Sequence, residues 1–147
     1  MKKLFLFILA VLLCFNQSLF ASRASVNTII SSTTLDADPT SASGTYTVKS
    51  ADKIAFWVAY DETEVGGISV AVTVDVSYDG TTWLDASFYD YAGGATLQTS
   101  ETLSSDSNYY FWFNSDLVIP YVRVVITATG SDADDTAIVS AKIITLE

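Results

Sequence analysis

The sequence predicts an all-β fold: a single antiparallel β-sandwich or jelly roll of about eight strands. Three observations carry this expectation. The first is strict alternation. Ile68, Val70, Val72, Val74, Val76 and Tyr78 fall on one side of the chain, and Ser69, Ala71, Thr73, Asp75 and Ser77 fall on the other. Period two over such a length means a strand with one buried face. The second is composition. Beyond the N-terminal leader the chain is rich in Ser, Thr, Val, Ile and aromatic residues and poor in Glu, Gln, Lys and Met. That balance suits pleated, half-buried strands. The third is punctuation, because Gly, Asp and Ser clusters break the apolar runs at short intervals.

The elements follow in order. Lys2 and Lys3 precede an apolar run from Leu4 to Phe15, and Ala21 stands where an export signal is cut. The run is shorter than the roughly 20 residues a membrane helix needs. Residues 1–21 therefore read as a signal peptide, with a cut after Ala24 as the alternative. Cys14 lies inside the apolar run behind bulky Leu13, which argues against lipoprotein processing at that position. Residues 22–43, rich in Ser, Thr and Ala, are either a mobile N-terminal arm or the first strand. The sandwich proper is expected over 44–147. Its strands are predicted at 44–49, 53–60, 68–78, 83–89, 95–103, 108–114, 119–129 and 136–146. Asp79-Gly80 marks a hairpin, since glycine tolerates positive φ. Pro120 opens its strand, where a missing N–H does no harm.

Charge and residue types narrow the function. The chain carries a net charge of −10, and losing Lys2 and Lys3 with the leader would make the remainder more acidic. Such a surface repels nucleic acid and anionic lipid, whose binding depends on Lys and Arg. No partner of either kind is expected of the mature form. There is no histidine, and the one cysteine is Cys14. Triad catalysis and imidazole or thiolate metal sites are therefore excluded. No glycine-rich phosphate loop is present. Carboxylate pairs remain, but acids such as Asp61, Glu62 and Glu64 fall in predicted turns, so no catalytic residue is assigned and no enzyme is expected.

Two features point to binding. Residues 108–114 are aromatic on both faces of one strand: Tyr109, Phe111 and Phe113 point one way, Tyr110 and Trp112 the other. Trp57 likewise opposes the core-facing residues of its strand. Trp57, Tyr110 and Trp112 are thus candidates for a protein interface or for stacking on sugar rings. Asp132, Asp134 and Asp135 crowd one turn and could supply oxygen ligands to calcium, with a solvated acidic hairpin tip as the alternative. No other cofactor is implied.

Ser77-Tyr78-Asp79-Gly80-Thr81-Thr82-Trp83, followed by Pro120-Tyr121-Val122-Arg123-Val124, resembles the second half of discoidin-type jelly rolls. It is also similar to small β-sandwich proteins of phage virions. The likeness spans roughly residues 70–146. It implies a sandwich in which the Trp and the Arg support the fold, and it implies no binding site. The terminal cysteines of discoidin domains are absent.

Together these readings describe a secreted structural subunit that binds copies of itself in an extracellular filament or surface layer. Val26, Ile29 and Ile30 in the arm would be donated to a neighbour's sheet edge. The alternative is a secreted carbohydrate-binding module.

Overall fold

The computed structural model describes residues 23–37, 40–48, 53–63, 67–90, 97–113, 119–130 and 135–146. The leader, Asp132 and Asp134 lie outside them. The described residues form eleven strands and no helix: β1 (Ala24–Asp36), β2 (Ser41–Thr47), β3 (Lys53–Glu62), β4 (Ser69–Ser77), β5 (Leu84–Ala86), β6 (Phe88–Asp90), β7 (Leu97–Gln98), β8 (Ser100–Leu103), β9 (Ser107–Phe113), β10 (Tyr121–Thr129) and β11 (Thr136–Leu146). All pairings are antiparallel. One sheet runs β1-β11-β3-β9-β6-β7. The other runs β2-β10-β4-β5, with β8 sharing the β4 edge beside β5. The all-β sandwich expected from the sequence is what forms.

The core lies where the alternation put it. Val70, Val72 and Val74 are buried, with Ile68 before them, and Val76 packs against the same cluster from a partly buried position. Val122, Val124 and Ile126 lie beside them on β10 of the same sheet, while Phe56, Val58, Phe111, Val139 and Ile143 come from the opposite sheet. Phe88 meets Phe111 edge-on, with ring centroids 5.2 Å apart. Each fully buried phenylalanine contributes about 1.5–3 kcal/mol from leaving water.

Three expectations change. The strand count rises from about eight to eleven. Two of the predicted strands each break at one residue, Ser87 and Thr99, and each half joins a different sheet. A strand that passes between sheets makes the corner of a sandwich, and Phe88 anchors this one in the core. Tyr78 does not continue the buried face of β4. The strand stops at Ser77, and Tyr78 enters the turn exposed.

The third change concerns the arm. Ala24–Asp36 pairs along β11 of its own domain, so the strand reading of this segment replaces the free donor arm. Ile30 is buried, Ile29 packs against the core, and Val26 is exposed. The register of β1 slips between Thr28 and Ile30 and again before Thr33. At this bulge β1 lies on β2. A Cβ on Gly44 would come within 2.0 Å of the Ile29 carbonyl oxygen and 2.9 Å of an Ile30 side-chain carbon. Only glycine allows this approach, which closes one side of the sandwich. A domain boundary after residue 43 would cut through β2.

Candidate functional site

The outward face of the six-stranded sheet carries the predicted aromatic residues. Residues directly opposite one another in antiparallel strands share a face. Val26 pairs with Ile144, Ile144 with Ala55, Ala55 with Trp112, Trp112 with Tyr89, and Tyr89 with Leu97. These pairs join into one apolar row crossing all six strands. Val26 is 61% exposed, Leu97 56% and Trp112 42%. Trp112 stacks on Tyr89, with centroids 4.5 Å apart and planes 20° from parallel. One face of the indole is thereby held in place by its own chain.

The next row holds Lys142, Trp57 and Tyr110, again directly paired. Lys142 lies over the Trp57 ring, Nζ 4.7 Å from its centroid, so a cation–π contact half-covers this indole. Trp57 is therefore less open than the sequence suggested, whereas Tyr110 remains 49% exposed. Ala55, Phe111, Tyr110 and Trp112 line an open depression of about 630 Å³. Its size suits a ring or a bulky side chain. The structure thus brings Tyr110 and Trp112 together, sets Trp57 beside them, and places Val26 at the far end of the same row. Ile144, Tyr89 and Leu97 were not anticipated, because only strand pairing aligns them.

The opposite sheet has a polar cluster of structural character. Asp75, expected on the solvent side, is buried and receives two hydrogen bonds from Arg123, at 2.9 Å from Nε and 2.6 Å from Nη2. The guanidinium lies under Trp83, 4.4 Å from the ring centroid. Before Trp83, the Asp79 carboxylate accepts from the Thr81 and Thr82 amides and from the Ser77 and Thr82 hydroxyls. These donors, the backbone amides first, hold the Asp79 carboxyl well below the ordinary carboxylate range. Gly80 in this turn has φ +74°. The Trp and the Arg of the hairpin motif therefore brace the turn and cover a buried ion pair.

Of the acidic turn, Asp135 is described. Its Oδ2 is buried without a hydrogen-bond partner among the described residues. No group of three metal-ligating side chains occurs among them. The described residues contain no helix long and apolar enough to cross a membrane.

No protein-family model matches the chain, and no curated protein does. Solved structures do. YomS, a protein derived from the SPBc2 prophage, matches with a TM-score of 0.63 at 14% identity, over 86% of this chain and 95% of that one. The VP2 subviral particle of infectious bursal disease virus matches at 0.53 and 12% identity, over 86% of this chain and 33% of VP2. The structure of the Gx strain of that virus gives 0.53 at 11% identity, over 85% and 33%. This chain thus corresponds to about a third of the length of the virus protein. At these identities the likeness is one of fold. It supports the resemblance to the sandwiches of phage virions, and nothing in it supports the discoidin one.

Proposed function

We propose that this chain is an exported, non-catalytic structural subunit that assembles with copies of itself outside the cell, in a filament or surface layer. The observation that carries the reading is the apolar row left open across the six-stranded sheet. Apolar surface costs about 25 cal/mol per Å² in water, and a contiguous patch of it marks a place where something docks. A similar sandwich in a prophage-derived protein and in a subviral particle supports the structural class. Export rests on the leader. Donation of β1 to a neighbour is set aside, because this strand already completes the sheet of its own domain along β11. Calcium at Asp132, Asp134 and Asp135 enters the proposal as a means of lowering repulsion between acidic copies.

The test is light scattering and negative-stain microscopy of the purified protein, processed at its leader by the expression host, with calcium and with a chelator. Mass rising with concentration is expected. A species that stays monomeric at millimolar concentration in both conditions overturns the reading. Tyr110 and Trp112, open and adjacent, also favour a second reading, the glycan-binding module. Binding on a glycan array by a monomer, lost in Trp112→Ala, would select it.

A further inference from the structure

Resting on the assembly reading, we infer that the occupant of the apolar row is the same row of a second copy, related by a two-fold axis parallel to the strands and passing between β3 and β9.

Area is the first argument. β1, β11, β3 and β9, at about 4.8 Å spacing over some seven residues of about 3.4 Å each, present roughly 460 Å² in projection, and β6 and β7, three and two residues long, add about 80 Å². Together this approaches the ~600 Å² each partner buries at the lower end of a standard stable interface. Charge is the second. The chain has 17 acidic residues against 7 basic. Yet the apolar row and the rows flanking it present Lys53 and Lys142 outward and no acid among the described residues. Two copies repel each other least across this face.

Shape is the third, and it selects the axis. Three strands lie on each side of the β3–β9 junction: β1, β11 and β3 on one side, β9, β6 and β7 on the other. Rotation about an axis along that junction lays Trp112 over the small Ala55 of the second copy, and Ala55 under the second Trp112. Ile144 then meets Tyr89, and Val26 meets Leu97. The protruding indole enters the depression beside Ala55, and no lysine faces a lysine. An axis along the row would instead set Trp112 on Trp112 and leave a void between the two alanines, which close packing disfavours. The strands of the two copies run aligned, as in sheet-on-sheet packing. Such a contact is isologous and closes at two copies. The pair is then the building block from which a larger assembly grows through other surfaces.

Crosslinking tests the pairing. Val26→Cys and Leu97→Cys, each in the full chain with Cys14→Ser, change exposed positions and leave the core intact. A bis-maleimide spanning about 10 Å, the spacing of packed sheets, should join the two variants when they are mixed and neither variant to itself. Self-crosslinking of each variant alone overturns the axis. A sample that light scattering shows to be associated, with no crosslink in the mixture, overturns the interface and leaves the assembly reading standing. A strictly monomeric sample overturns both. Trp112→Ala should weaken association at least about 30-fold, as for a hot-spot residue. If that variant loses the circular dichroism of the parent, Ala55→Arg, which puts a charge in the depression, carries the test with the same expectation. Unchanged association in the folded variant refutes the inference.

Discussion

Tyr60 offers a test of the core that reads out twice, in stability and in its pH dependence. Its ring is 2% exposed, and its hydroxyl donates a 2.7 Å hydrogen bond to the Ile68 carbonyl across the β3–β4 connection. Tyr60→Phe removes the donor and leaves that carbonyl without it, a cost of about 1–3 kcal/mol near neutral pH. Burial, reinforced by the nearby charges of Glu62 and Asp106, pushes the phenol from 10.0 up to about 12. The folded state therefore keeps a proton that the unfolded chain has begun to lose. This stabilisation is complete below pH 10 and is lost as pH rises towards 12. Two pH units bound the linked term at about 2.7 kcal/mol, and solvent screening of the two carboxylates brings it to roughly 1–2 kcal/mol. Urea unfolding followed by tryptophan fluorescence, at steps between pH 8 and 11.5, measures both proteins. The gap between parent and variant should be widest at pH 8 and narrow steadily above pH 10, because the other tyrosines titrate alike in both. A gap that is absent at pH 8, or that stays constant to pH 11.5, would show that the Tyr60 hydroxyl is not held as described.

Three further outcomes follow from the same physical reasoning. Gly44→Ala should destabilise by about 1–3 kcal/mol, the cost of overpacking, since its Cβ meets the Ile29 backbone. Limited proteolysis should then cut within β1 before the rest of the domain. Arg123→Ala leaves Asp75 buried without its cation and should cost about 2–4 kcal/mol, with Trp83 emission moving to the red as its cover departs. An unshifted emission would refute the contact. Asp79→Ala should weaken the hairpin turn above pH 4 and progressively less below it. The depressed carboxyl stabilises the fold above its unfolded value, and that contribution fades as pH falls through the folded one. Thermal melts of the two proteins at pH 2.5 and pH 7 compare these regimes.

Much of the fold was legible because its determinants are local. Alternation in β4 specifies which side chains go inward, since a slip of one residue would expose the whole set. Aromatic residues on both faces of β9 announced that one set enters the core and the other does not; the structure buries Phe111 and Phe113 and leaves Tyr110 and Trp112 exposed. The Asp79-Gly80 turn follows from the conformational freedom of one glycine and the acceptor capacity of one carboxylate. Other features depended on which strand lies beside which. Ala86 and Phe88 keep a period of two across Ser87, and the polar run Gln98-Thr99-Ser100-Glu101-Thr102 carries no periodicity of its own, so nothing local shows that the chain changes sheets there; the partners on β4 and β9 decide it. Asp75 has the pattern of a solvent-facing residue and is buried because Arg123, remote in sequence, and Trp83, just across the neighbouring hairpin turn, close over it. Residues 24–36 have a composition that fits an arm or a strand equally. The vacant β11 edge and the close approach at Gly44 make them a strand. The apolar row is the clearest case: Trp112 and Val26 stood out in the sequence, but nothing on the strands of Ile144, Ala55, Tyr89 and Leu97 aligns them with those two. Side-chain periodicity is a property of one chain segment and can be read from it, whereas alignment across a sheet is set by backbone hydrogen bonds between segments far apart in sequence, and those form only when the whole sandwich closes.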